Sequence, residues 1–319
     1  MILVLRALGV GDLATAVPAL RGLRAGLPGR ELVLAAPAWL APLAALTGAV
    51  DRVLPTDGPD RVDWTGPPPE VAVNLHGRGP ESHRALAATR PDRLLAYRNP
   101  AGGHPTGPAW DDDEHEVRRW CRLLHAYALP ADPGDLALRR PAGPRVPAGV
   151  TVLHPGSKVP AKRWPADRFA GLARTLTARG HRVVLTGSAD ERALVARVAR
   201  DAGLPPEAVL AGRTGLAELA ALVADARLVV SGDTGVAHLA TGYGTASVVL
   251  FGPVPAARWG PPADRPRHRV LGGTRAAGPD PDSAGFAGVG THPTLGAIGI
   301  DEVVAAVAEV ERVSGAVAA

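Results

Sequence analysis

Short apolar runs ending in glycine or polar residues, each followed by a helical pattern, recur along this 319-residue chain and restart once after an interruption. ILVLRA reads as a strand with apolar residues on both faces, followed by a glycine loop and the helical DLATAVPALRGLRAGLPG, which closes on Pro28-Gly29. ELVLAAP, DRVLP, VAVNLHG (Val71 to Gly77) and RLLAY read as further strands, with AWLAPLAALTG as a helix. Strands that are apolar on both faces and joined by helices imply a parallel, doubly wound sheet. From Leu129 to Gly149 the text LPADPGDLALRRPAGPRVPAG is dense in proline and glycine and marks a linker or hinge. Beyond it VTVLHPG, HRVVLTGS, AVLAG, ARLVVSGD and ASVVLFGP read as strands. DRFAGLARTLTARG, DERALVARVARDAG and GLAELAALVADA read as helices, and GVAHLATGYG as a helix start. Pro261 to Gly296 reads as mostly loop, and IDEVVAAVAEVERV as a closing amphipathic helix. The pattern predicts an α/β protein of two Rossmann-like domains, over 1–140 and 150–300, with a closing helix over 301–319.

In doubly wound sheets ligands bind outside the carboxyl ends of the strands. Those ends carry Gly9 to Asp12, His76-Gly77, His154 to Lys162, Gly187 to Glu191 and Ser231 to His238. Two such edges facing each other across a hinge make a cleft, so an interdomain site is expected.

Composition narrows the partners. No apolar run reaches the ~20 residues of a membrane helix, and MILVLR enters a strand with no basic leader region. A cytoplasmic protein is expected, with peripheral contact at the inner face of a membrane left open. One cysteine, Cys121, excludes an internal disulfide framework and a cysteine-rich zinc site. The net charge of +4 is mild and the arginines are scattered rather than gathered into a patch, so nucleic acid is not an expected partner. The cations themselves are uneven. The chain has two lysines, Lys158 and Lys162, against 33 arginines, and both lie in HPGSKVPAKRWP. A guanidinium fork and a compact ammonium are not interchangeable at a phosphate, which singles this stretch out.

The opening loop GVGDLA (Gly9 to Ala14) has two readings. As G-x-G-x-x-A it is a dinucleotide fingerprint, which calls for an acid about 20 residues on to hold the ribose. The second strand ends Leu34-Ala35-Ala36-Pro37, without one. As a helix start it presents Asp12, whose carboxylate is stabilised there and could take a proton from a hydroxyl; a plain helix cap is the lesser alternative. In SGDTGVAHLA, a strand runs into Ser-Gly-Asp-Thr-Gly and a helix, whose first N–H groups form a ready anion site. Gly235 permits close approach, Thr234 offers a hydroxyl and His238 lies one turn in; a simple cap with a packed histidine fits the same letters. Lys162 supplies a mobile charge of the kind that binds phosphates. WDDDEHEVRRW contains D-x-D at Asp111 and Asp113, but these acids precede a helical run and are discounted as metal ligands, as is DPD at 280–282.

With RALGVGDLATAVPALRGLR, VAVNLHG, HPGSKVPAKRWP, LTGSADE and LVVSGDTGVAHLATGYGTASVVLFGPV in place, the chain resembles glycosyltransferase family 9, the heptosyltransferase family. The resemblance implies the two-domain GT-B fold. It also implies inverting, metal-independent transfer of a sugar from a nucleotide-diphosphate donor, with no cofactor, to a glycan, glycolipid or small-molecule acceptor. Asp12 then matches the base, and Lys162 the group that neutralises the diphosphate. Asp233, Thr234, Gly235 and His238 match the diphosphate and sugar loop, and Glu191 the acid near the donor ribose. Ser157, Lys158 and Gly187 fall on the donor side, Gly11 and His76 on the acceptor side. A nucleotide-sugar epimerase on the same scaffold, an NAD-dependent oxidoreductase and a silent nucleotide-sugar-binding module are the alternatives.

Overall fold

The computed structural model describes residues 1–143, 146–273 and 290–318, and the chain divides into two compact units, Met1–Arg139 and Arg140–Ala319. The first unit has strands β1 (Ile2–Leu5), β2 (Leu32–Ala36), β3 (Arg52–Pro55), β4 (Val71–Asn74) and β5 (Arg93–Leu95). Its helices are α1 (Val10–Thr15), α2 (Val17–Gly26), α3 (Ala41–Leu46), α4 (Glu81–Ala87) and α5 (Glu116–Ala126). All strand pairs are parallel, in the order β3-β2-β1-β4-β5. Every residue of β1, β2 and β4 is buried, as continuous apolar runs covered by helices on both faces require.

The second unit repeats the plan. Its strands are β6 (Thr151–His154), β7 (Val183–Leu185), β8 (Leu228–Gly232), β9 (Ser247–Phe251) and β10 (His268–Gly272), in the parallel order β10-β9-β8-β6-β7. The helices are α6 (Ala166–Ala178), α7 (Arg192–Ala202), α8 (Leu216–Ala224), α9 (Gly235–Tyr243), α10 (Ala256–Trp259), α11 (Pro293–Ala297) and α12 (Ile300–Ala318). On α12 the buried Val303, Val307 and Val310 recur at helical spacing and join the core that holds Trp164 and Phe169.

The order of winding reverses between β1 and β4 in the first sheet, and between β6 and β8 in the second. Such a switch point leaves a crevice at the carboxyl ends of the two strands. Asp12 and His76 follow β1 and β4, while Lys162 and Asp233 follow β6 and β8. The four residues thus belong to two equivalent positions of the same topology.

Two sequence expectations change and a third is refined. DLATAVPALRGLR is two helices, separated at Ala16, because Pro18 fits only the first turn of a new helix, where its missing N–H is not needed. AVLAG is not a strand: after Pro205 the chain makes a 3-10 turn over Pro206–Ala208 and touches the sheet at one bridge, Leu185 to Val209. Pro261 to Gly296 is loop over most of its described residues, as expected, but it also holds β10, which pairs with β9 along its length, and most of α11. The rest of that stretch, 274–289, lies outside the described residues, as do the DPD letters.

Candidate functional site

In the first unit the site is built from below. Arg6 directly follows β1, and its side chain has 0% exposure. Its Nε donates to the Asp12 carbonyl at 2.6 Å and its Nη1 to the Leu75 carbonyl. Nη2 reaches Thr15 Oγ1 at 3.2 Å and Glu116 Oε1 at 3.0 Å, and the guanidinium lies 4.9 Å over the Trp120 ring. Glu116, the first residue of α5, also accepts from Trp120 Nε1 at 2.8 Å and from Arg119 Nη1. Burial pushes the Glu116 carboxyl upward, but Arg6 and Arg119 outweigh it and hold the group below the usual carboxylate range. A buried carboxylate is tolerable only with such compensation. Neither Arg6 nor Glu116 is among the residues expected from the sequence.

Asp12 sits on this support with a quarter of its side chain (27%) exposed. Oδ2 accepts from the Gly9 N–H at 3.0 Å, the half of a capping box that a glycine N-cap leaves possible, while Oδ1 lies 3.8 Å from Arg6 Nη2. The capping role is therefore real, and it engages one of the two oxygens. Gly11 stands beside Asp12 in the first turn of α1. His76 Nδ1 accepts from the Ala7 N–H at 3.2 Å. Burial, helped by Arg6 and opposed by Asp12, pushes the His76 ring down to about 4. The ring is then neutral at physiological pH, and the Ala7 hydrogen bond assigns its proton to Nε2. Trp39, 56% exposed, follows β2 at the same sheet edge.

In the second unit, Lys162 ends the 3-10 turn Pro160–Lys162. Its Nζ lies 3.4 Å from Asp233 Oδ2, with side chains 14% and 8% exposed. The other Asp233 oxygen is 4.0 Å from His238 Nε2, and the His238 ring stands edge-on to Trp259 at 6.0 Å. Thr234 is the N-cap of α9 in an extended conformation, yet makes no side-chain cap hydrogen bond. Its Oγ1 is buried and has no hydrogen-bond partner among the described residues. Gly235 opens the helix, and a Cβ on Gly232 would fall 2.9 Å from the Lys162 carbonyl, so the loops after β6 and β8 touch backbone to backbone.

A second cluster forms around Glu191, whose Oε2 accepts from the Ser188 N–H at 2.8 Å. A Cβ on Gly156 would fall 2.2 Å from its carboxyl carbon, and one on Gly187 3.2 Å from its Oε2, so the carboxylate lies flat on two glycine backbones. Ser157 is buried and committed to its own turn, with Oγ accepting from the Val159 N–H at 3.4 Å and its carbonyl from Arg163 Nε at 2.8 Å. Lys158 is exposed. The structure thus groups Lys162 with Asp233, Thr234, Gly235 and His238, and Glu191 with Gly187. Among the described residues no group of three or more His, Cys, Asp or Glu is arranged to hold a metal ion.

Chemically the α9 terminus joins a helix N-terminus, a hydroxyl without a partner among the described residues and an ammonium, the elements of an anion cradle. The first unit offers a supported carboxylate beside a neutral N–H donor. Two parallel doubly wound units carrying such edges make this a protein of GT-B fold. The model of glycosyltransferase family 9 (heptosyltransferase) matches residues 109–281, more than half of the chain, and the chain belongs to that family. Lipopolysaccharide heptosyltransferase 3 of Escherichia coli (strain K12) is 36% identical over 112 residues, which is 34% of this chain and 33% of that protein. The match therefore spans about a third of that relative's length. Among solved structures, ADP-heptose lps heptosyltransferase II of E. coli superposes with a TM-score of 0.77 at 22% identity, over 98% of this chain and 99% of that one. A family 9 glycosyl transferase from Veillonella parvula DSM 2008 gives 0.77 at 19%, over 97% and 96%. These likenesses bear on the fold.

Proposed function

We propose that the protein transfers a sugar, heptose or a relative of it, from a nucleotide-diphosphate donor to an acceptor hydroxyl, with inversion and without an essential metal. Asp12 takes the proton of the acceptor hydroxyl as its oxygen attacks the anomeric carbon from the side opposite the diphosphate. The bond from that carbon to the diphosphate oxygen breaks, and the electron pair leaves with the oxygen. Lys162, Thr234 and the α9 terminus receive the charge, His238 and Asp233 meet the sugar-proximal end, and Glu191 meets the ribose. The observation that carries this reading is the Thr234 hydroxyl, buried without a partner at a helix N-terminus beside Lys162. On the acceptor side, the Nε2–H of His76 orients the hydroxyl, and Trp39 offers a face for a sugar ring or an apolar aglycone. The relatives named for ADP-heptose and for lipopolysaccharide support an ADP-linked heptose donor and a glycolipid or glycan acceptor.

The dinucleotide reading is disfavoured on a local ground. The Gly9 N–H, which a pyrophosphate would need, is already bound by Asp12. Calorimetric titration with ADP, UDP, GDP, dTDP and NAD, in EDTA, tests the proposal. One diphosphate is expected to bind, with Lys162→Ala losing about 1–3 kcal/mol, the scale of a charged hydrogen bond. Binding of NAD without any diphosphate would overturn it.

A further inference from the structure

Lys162 is not an idle charge awaiting a ligand. Its ammonium faces Asp233 at 3.4 Å, and both side chains are largely shielded from water. The close approach of the Gly232 and Lys162 backbones keeps the two loops together, so the pair is enforced by the chain rather than by side-chain flexibility. A diphosphate drawn to the α9 terminus needs the same ammonium. It also brings negative charge to a carboxylate located one residue before the N-cap.

We propose that Asp233 is an internal counter-anion that competes with the diphosphate for Lys162 and so limits how tightly the bare nucleoside diphosphate is held. This rests on the reading of the α9 terminus as the donor diphosphate site. A free diphosphate carries more negative charge than the same group esterified to a sugar, because its terminal phosphate is no longer blocked. The carboxylate therefore penalises the product more than the donor. When the sugar departs, Asp233 reclaims Lys162 and the nucleotide is released.

The test needs no knowledge of the base, the sugar or the acceptor. Inorganic pyrophosphate in EDTA is titrated calorimetrically into the wild type, Asp233→Asn, Lys162→Ala and the double variant. Asp233→Asn is expected to bind pyrophosphate roughly tenfold more tightly, with the gain shrinking as salt rises and vanishing in the Lys162→Ala background. Asp233→Ser should show the same gain, and a melting curve for each variant verifies its fold. If Lys162→Ala weakens binding but neither Asp233 variant tightens it, the inference falls while the cradle stands. A gain that persists without Lys162 also overturns it, since Asp233 would then act on the anion directly. If removing Lys162 changes nothing, or if none of the proteins binds, the donor-site reading fails together with the inference.

Discussion

The two units open their switch-point helices in opposite ways. At α1 the protein supplies its own partners: the N-cap N–H of Gly9 is taken by Asp12, and the Asp12 backbone is held by Arg6, itself tied to Glu116. At α9 the N-cap Thr234 makes no cap bond, its hydroxyl has no partner among the described residues, and the neighbouring cation faces the Asp233 carboxylate. The same topology thus yields a site finished internally and a site left to be completed from outside. The difference follows what each has to do under the proposed chemistry. A base needs a fixed position, and a cradle needs groups that are free to change partners. The shared scaffold decides neither, because function resides in the loops grafted on it.

The largest effect expected to sharpen this contrast is at the finished site. Asp12→Ala should lower turnover by about 10²- to 10⁴-fold, the usual weight of a general base, while calorimetry shows nucleotide diphosphate affinity unchanged. An active variant would reduce Asp12 to a helix cap. Next, Glu116→Ala leaves Arg6 and Arg119 buried without their carboxylate. It should cost about 3–5 kcal/mol of stability in urea unfolding. Glu116→Gln, if it folds, should lose turnover but keep diphosphate binding, because its effect stays within the first unit. At the unfinished site the reverse holds. Thr234→Val removes a hydroxyl that the protein does not use. Stability should change by no more than about 0.5 kcal/mol, and diphosphate affinity should drop by about 1 kcal/mol. A variant that melts lower and binds normally would erase the distinction between the helices.

The smallest effect is a pH dependence. His76 titrates at about 4 in the folded chain against 6.5 when exposed, mainly through burial. The unfolded chain therefore binds the extra proton between those values. Its contribution to stability is whole above about pH 6.5 and is lost as pH falls towards about 4. Denaturation midpoints measured across this range should fall less steeply for His76→Gln than for the wild type.

The central strands were legible in the letters because burial on both faces demands uninterrupted apolar runs, as in ILVL and LVLAA. β10 was not, since an edge strand is only half covered and HRVLG keeps an arginine and a histidine. AVLAG misled for the opposite reason: its apolar letters belong to a proline-led turn that packs against the sheet without joining it. At the site, Asp12, Lys162 and the Asp233 turn could be picked out because each lies within a few residues of a strand end. Arg6 and Glu116 are 110 positions apart and meet only through packing. One signal was available, a charge closing the buried run ILVLR, where only a paired cation can survive. Glu116 gave none, because an acid in the first turn of a helix is ordinary.

The glycine at 156, with the Glu191 carboxyl pressed against its α-carbon, sets an order in which this region can change over generations. A side chain gained at 156 first would have to evict the carboxylate, so that path begins with a damaged protein. If Glu191 is shortened first, the space opens and position 156 becomes free to vary. Descendants that alter this corner of the second unit are therefore expected to differ at both positions or at 191 alone, and seldom at 156 by itself.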